Sequence, residues 1–338
     1  MVKNNKHLFI LGAGSIGKRH AKNFLDLGCS IAIYDPNPSR LDEVEKELTG
    51  VDIYSDIDDG LKNNNFDGGI ICSPTKFHIE QSIKLLRHDL HLLMEKPLGV
   101  NLASAKKLNN YCENKNKSSK ILLGYTWRWW EALIRMRDLI HNNEIGNIYH
   151  AEYFMSAHLA DWHPWERYQD FFMSSKDLGG GALLDESHWI DHMVWFFGMP
   201  NKVVATIDKV SELEITSDDS VEFLAYYNNG LKVFVHLDIY GRPHEKSIKI
   251  IGQKGKIEWN DYDNSVKLFK GMEMEKSFNY TNERNDMFIN VAKEFIQLIN
   301  GEEKISCDLE SGINVMRIIE AARISNKEMR FIQMDEIL

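Results

Sequence analysis

At 338 residues the chain is too long for one ordinary hydrophobic core and divides most naturally into two domains. Hydrophobic residues make up 43% and charged residues 27%, a globular composition, and the absence of any run of about 18 apolar residues excludes a membrane-spanning helix. The net charge of −10, without a basic tract, argues against a nucleic-acid partner, although a local basic pocket could still take an anionic sugar.

Met1 to His7 is polar and lacks the apolar stretch of a secretory signal. Cys29, Cys72, Cys112 and Cys307 are scattered without paired spacing. The expectation is a cytoplasmic protein with reduced thiols. Short apolar runs at His7–Leu11, Ser30–Tyr34, Gly69–Cys72, His91–Met94 and Ile121–Gly124 read as buried strands of a parallel sheet. Amphipathic stretches separate them: Ser15–Leu27, Ser39–Leu48, Lys76–Arg87 and Asn101–Asn114. This alternation predicts a doubly wound α/β domain over residues 1–125, with Asn114–Lys120 as a loop before its last strand.

Beyond Trp130 the pattern changes. A helix at Glu131–His141, a strand around Ile148–Phe154, an aromatic loop at Ala157–Ser175 and a helix at Gly181–Phe197 follow one another. Strands are then predicted at Val203–Lys209, Val221–Tyr227, Leu231–Ile239, Ser247–Ile251, Lys256–Trp259 and Val266–Lys270. Asn228–Asn229–Gly230 reads as a hairpin turn, and helices at Met287–Ile299 and Leu309–Ser325 close the chain. Residues 126–338 are thus an α+β domain on a mostly antiparallel open sheet.

Gly12-Ala13-Gly14-Ser15-Ile16-Gly17 follows a strand and opens a helix. Gly12 permits the tight turn, Gly14 lets the backbone approach a pyrophosphate, and Gly17 lets helix and strand pack closely, with Ser15 and Ile16 at the helix N-terminus that favours phosphate. Such a glycine pattern alone is weak, but the strand before, the helix after and an acid about twenty positions on make a dinucleotide site. That acid, Asp35, can accept from the ribose hydroxyls and would repel a 2′-phosphate, so NAD is favoured over NADP. Arg40 at the same corner softens the exclusion, and a turn-forming role for Asp35 before Pro36 stays open.

Met94-Glu95-Lys96-Pro97-Leu98, at the end of the fifth strand, together with GAGSIGKRH near the N-terminus, resembles the Gfo/Idh/MocA family of oxidoreductases. Cys72-Ser73-Pro74-Thr75 followed by His78, then Gly124-Tyr125-Thr126-Trp127-Arg128, then Gly179-Gly180-Gly181 running to Asp185 and His188, extend the resemblance in order over nearly the whole chain. It implies a catalytic Lys96 at the substrate oxygen, an acid–base set completed by Asp185 and His188, and Ser73, Pro74, Thr75, His78 and Glu95 on the nicotinamide side. It also implies assembly through the open sheet as a homodimer or homotetramer.

The residues themselves allow this chemistry. An ammonium at the carboxyl edge of the sheet can donate to a carbonyl oxygen and stabilise the alkoxide that hydride addition creates. A lysine before proline is also a common surface residue. Asp185 and His188, three apart, would share one helical face, where a carboxylate can fix the imidazole tautomer and raise its basicity. The commoner family spacing is four, and a helix cap with a core histidine is the competing reading. His188 and His192 have the i, i+4 spacing of metal ligands, but nothing supplies a third ligand, and no metal is expected.

The segment His158–Arg167 is rich in Trp and His. Trp162, His163 and Arg167, with Arg128, could stack on and hold a sugar or its acidic group, although packing or an interface would use the same residues. This loop resembles members of the family associated with bacterial surface-sugar pathways. The reading is an NAD-dependent oxidoreductase acting on a secondary alcohol or ketone of a sugar derivative. Its rivals are an NAD-dependent glycosidase working by transient oxidation and elimination, and a non-catalytic dinucleotide-binding regulator.

Overall fold

The computed structural model describes residues 6–115, 120–162, 166–302 and 304–337. Two units form: Met1–Trp129 with Glu283–Ile313, and Trp130–Asn282 with Asn314–Leu338. In the first, six parallel strands are β1 (His7–Leu11), β2 (Ser30–Tyr34), β3 (Val51–Tyr54), β4 (Gly68–Ile71), β5 (His91–Glu95) and β6 (Ile121–Gly124). Helices α1 (Ser15–Asp26), α2 (Pro38–Glu47), α3 (Ile57–Asn63), α4 (His78–Leu86) and α5 (Leu102–Lys115) alternate with them. The order β3-β2-β1-β4-β5-β6 reverses direction between β1 and β4, and ligands bind beyond the carboxyl ends of strands at such a switch. The central strands are apolar along nearly their whole length because both faces are covered: Leu8 to Leu11, Ile70, Ile71 and Leu92 to Met94 are all fully buried. The edge strand β3 and the helix α3 were not expected from the sequence.

The second unit begins with α6 (Glu131–His141) and β7 (Ile148–Ser156). The aromatic loop that follows makes four single 3-10 turns among its described residues and leads to α7 (Ala182–Asp185) and α8 (His188–Phe197). Strands β8 (Lys202–Asp208), β9 (Ser220–Tyr226), β10 (Lys232–Asp238), β11 (Glu245–Gly252), β12 (Gly255–Asn260), β13 (Ser265–Lys270) and β14 (Glu273–Asn279) come next. Two last helices, α9 (Arg284–Ile299) and α10 (Leu309–Glu328), precede a final short strand, β15 (Ile332–Gln333). The nine strands lie in the order β14-β13-β12-β11-β7-β10-β9-β8-β15, and every neighbouring pair is antiparallel except β7 with β10. Burial alternates with period two along β9 and β10, the mark of a sheet with one face packed and one open. Val233, Val235 and Leu237 point inward, whereas Phe234 is 38% exposed.

The second domain was expected to run unbroken to the end of the chain. Instead α9 returns to the first unit, and its residues show why. Met287, Phe288, Val291, Ala292, Phe295, Ile296 and Leu298 form one buried stripe, which must cover an apolar surface. The surface is tailored to it: a Cβ on Gly68 of β4 would lie 2.8 Å from Ile299 and 2.9 Å from Phe295. No helix among the described residues is long and apolar enough to cross a membrane.

Candidate functional site

The glycine-rich turn between β1 and α1 is built by close approach. Gly12 has φ +107°, and a Cβ there would sit 2.8 Å from the backbone of Cys72 and Ser73 on the neighbouring loop. A Cβ on Gly17 would lie 1.9 Å from the Gly12 carbonyl oxygen, so any side chain would push α1 off the turn. Gly14 differs: the nearest atom to its Cβ position is Arg40 Nη1 at 3.9 Å, which leaves its backbone open to a ligand. α1 starts at Ser15 without a side-chain cap, so its first-turn amides face outward, as an anion site requires.

Asp35, at the end of β2, is only 3% exposed. Its Oδ2 accepts from Ala13 N at 2.8 Å and its Oδ1 from Asn37 N at 2.9 Å. The carboxylate therefore fixes the glycine turn as well as offering its remaining lone pairs to a ribose. Arg40 Nη1 stands 3.7 Å from Oδ2, close enough to soften the local negative charge, as the sequence suggested. The open Gly14, the bare helix start and the inward-held acid together fit a dinucleotide.

On the other side of the switch, Ser73 Oγ donates to Gln81 Oε1 at 2.6 Å. The Thr75 hydroxyl is buried without a hydrogen-bond partner among the described residues. His78, expected on the nicotinamide side, joins two loops there. It is 1% exposed, and its ring nitrogens lie 2.8 Å from the Pro97 carbonyl and 2.9 Å from the Ser73 carbonyl, so it ties the loop after β4 to the loop after β5. Burial pushes its pKa down, opposed by those two contacts. Glu95 is likewise engaged, with Oε1 2.8 Å from His20 Nε2. Lys96 follows directly at the end of β5, joined to Pro97 by a cis peptide. His20 was missed as a site residue. The available signal was a polar side chain on the buried stripe Gly17, His20, Ala21, Phe24 of α1.

Asp185 and His188 belong to the second unit, and the single helix expected to carry them is two. α7 ends at Asp185 and α8 begins at His188, with Glu186 and Ser187 as the break between them. Asp185 and His188 therefore do not share the face of one continuous helix. They are nonetheless buried together with Ser187, at 7%, 9% and 0% exposure. The start of α7 is held by Asp218, whose Oδ2 accepts from Leu183 N at 2.8 Å. Two of the three glycines make room for that docking. A Cβ on Gly181 would lie 2.4 Å from Asp218 Oδ1, and one on Gly180 would lie 2.3 Å from the Met173 carbonyl oxygen. Burial raises the Asp218 pKa, and the Leu183 amide works against that rise.

The expected substrate residues belong to both units. Arg128 lies in the first unit, 7% exposed, with Nη1 donating to the Ser306 carbonyl at 2.6 Å. Trp162 and Arg167 lie in the second unit, half-buried and exposed respectively, and His163 falls outside the described residues. The loop bearing them is anchored by a two-pronged ion pair from Arg242 to Asp161, at 2.7 and 2.8 Å. No group of three His, Cys, Asp or Glu side chains that could hold a metal is gathered among the described residues.

Comparison with known proteins now supplies an identification: the chain belongs to the Gfo/Idh/MocA family. Residues 6–121 match the family's oxidoreductase domain with its NAD-binding Rossmann fold, and residues 133–258 match its C-terminal domain. The chain is 24% identical to a myo-inositol 2-dehydrogenase of Thermotoga maritima over 97% of this chain and 98% of that protein. In fold it is similar to the WlbA dehydrogenase of Bordetella pertussis, solved with NADH and UDP-GlcNAcA (TM-score 0.82, 19% identity, 97% and 98% of the two chains). It is also similar to scyllo-inositol dehydrogenase of Lactobacillus casei, solved with NAD(H) and scyllo-inositol (TM-score 0.80, 21% identity, 98% and 99%). The nucleotide site is that of a nicotinamide cofactor.

Proposed function

We propose that this protein transfers a hydride between NAD and a secondary alcohol or ketone of a sugar or sugar derivative, in the cytoplasm and as a homodimer or homotetramer. The observation that carries the reading is the convergence, at the carboxyl edge of the β1/β4 switch, of the open glycine turn, the Ser73–Thr75 loop and the Glu95–Lys96–Pro97 run. NAD supplies the hydride acceptor, and Gly14, Ser15, Ile16 and Asp35 would hold its pyrophosphate and ribose.

Lys96 donates a hydrogen bond to the substrate oxygen and stabilises the charge that develops there. His188, supported by Asp185, takes the proton when an alcohol is oxidised. The aromatic loop around Trp162 and Arg167 supports a sugar that carries an acidic or nucleotide group. The solved relative holding UDP-GlcNAcA is consistent with that class, and the inositol dehydrogenases with an uncharged polyol.

Energy transfer from the tryptophans to bound NADH, compared with NADPH, tests the cofactor claim. Tighter NADH binding is expected, and binding of neither would withdraw the oxidoreductase reading. NADH formation with myo-inositol, glucose 6-phosphate and a UDP-linked uronic acid then separates the substrate classes.

A further inference from the structure

Lys96 sits in a three-residue run whose two flanks are each gripped by a buried histidine from a different helix. On the N-terminal flank, the Glu95 carboxylate meets His20 of α1 at 2.8 Å, with the two side chains 12% and 0% exposed. Gly124, beside Glu95 in β6, makes room for that carboxylate: a Cβ there would lie 3.0 Å from Glu95 Cδ. On the C-terminal flank, the Pro97 carbonyl lies 2.8 Å from His78 Nδ1, at the head of α4. We infer that His20 and His78 are positioning residues for Lys96: they brace the backbone on both sides of it and couple it to the two loops that receive the cofactor.

Chain order supports the coupling. α1 is the helix whose N-terminus faces the pyrophosphate, and His20 lies on its second turn. His78 holds Pro97 with one nitrogen and the Ser73 carbonyl of the nicotinamide-side loop with the other. A lysine side chain is a flexible four-carbon stem, so the position of its backbone bounds where its ammonium can reach. At the end of β5 the ladder with β6 stops at Glu95, and the Pro97 carbonyl beyond it is met by His78.

Protonation fits the same assignment. The Glu95 carboxylate accepts only, so His20 Nε2 carries the hydrogen, while His20 Nδ1 is buried without a hydrogen-bond partner among the described residues. His20 thus meets one acceptor through one ring nitrogen. His78 faces two carbonyl oxygens, and a neutral ring donates to one at a time.

This inference rests on Lys96 being the residue at the reacting oxygen, and the experiment separates the two claims. His20→Phe, His20→Gln, His78→Phe, His78→Asn and Lys96→Ala are compared. The first readout, on the protein without cofactor, is amide hydrogen exchange of the peptide spanning residues 94–100, with residues 287–299 as the internal control. The second is turnover of myo-inositol, or of whichever alcohol the substrate screen identifies, alongside NADH affinity. Both Phe variants should raise exchange in residues 94–100 about tenfold with the control peptide still protected. They should also lower kcat about 100-fold, the effect of a misplaced reacting group, with NADH Kd changed less than about threefold. His20→Gln, which reaches Glu95 with the same donor, and His78→Asn, which keeps the Pro97 contact, should recover most of both.

Unchanged exchange and turnover in the Phe variants would overturn the inference. So would a uniform rise in exchange that the Gln and Asn variants fail to rescue, because that pattern marks ordinary core residues. Normal turnover in Lys96→Ala would instead overturn the role of the lysine, leaving the exchange result to judge the brace itself.

Discussion

Both sheets bury apolar side chains, yet they place their ionisable groups by different rules. The six-stranded sheet has both faces covered, so its acids and histidines gather where strands end: Asp35 after β2, Glu95 at the tip of β5, His78 beyond β4. The nine-stranded sheet has an open face and carries ionisable groups in mid-strand. There His236 on β10 lies directly between Phe154 of β7 and Glu222 of β9. Its ring stacks on Phe154 at 4.8 Å, with Nδ1 2.6 Å from Glu222 and Nε2 2.9 Å from Asp238. One sheet is a platform with a chemical rim, the other a surface with a charged weave. What a histidine does therefore follows from which sheet holds it.

The largest test of that division removes the rim without touching the platform. Lys96→Ala should cut turnover by about 10³-fold, within the range of acid–base contributions, while melting temperature and NADH affinity stay close to the parent. Turnover near the parental rate would show that the rim of the first sheet is not where the chemistry sits.

The complementary test removes platform. Phe295 of α9 is fully buried over β4, and Phe295→Ala should cost about 3–5 kcal/mol of stability by chemical denaturation. The surviving folded protein should keep its affinity for NADH. A loss of NADH binding larger than the loss of stability would mean that α9 shapes the site as well as the core.

A smaller effect probes the rim at β2. Asp35→Asn removes the charge but leaves one oxygen acceptor for Ala13 or Asn37, so the glycine turn should persist. With Arg40 3.7 Å away, the ratio of NADPH to NADH affinity should rise about tenfold, or about 1.4 kcal/mol. A ratio that does not move would show that Asp35 serves the turn and not cofactor choice.

These contrasts also explain what could be read from the sequence. Strands covered on both faces are continuous apolar runs, and the glycine turn is a local steric requirement, so β1, β4, β5 and the Gly12–Gly17 site were legible. β3, only half-buried at an edge, and β14, exposed along most of its length, carry no strong periodic signal. The start of α7 is shaped by the close approach of Gly180 and Gly181 to Met173 and Asp218. Asp218 is 35 residues from the Leu183 amide it receives, so no local pattern announces it. His20 and Glu95 are 75 residues apart in sequence. Their pairing emerges only once the parallel sheet brings α1 over β5.

The smallest expected effect is the one that separates the two sheets by sign. Burial lowers the pKa of His78 despite its two carbonyl partners. The unfolded chain then takes up a proton more readily than the native one, so stability falls as pH drops below the ordinary value of 6.5. His236 runs the other way. Its hydrogen bond to Asp238 raises the pKa, burial opposes the rise, and the bond to Glu222 adds to it. That stabilisation is complete below the ordinary histidine value and is lost as pH rises through the raised one. His236→Asn should therefore cost about 0.5–1 kcal/mol at pH near 5.5, where screening by solvent keeps the figure modest, and less at pH near 8.5. His78→Asn should flatten the acid side of the profile, because its proton uptake on unfolding is gone. Urea midpoints across pH about 5.5–8.5 decide the matter. If both variants shift the profile in the same direction, partner type does not set the pH response, and the contrast between rim and weave fails for histidine.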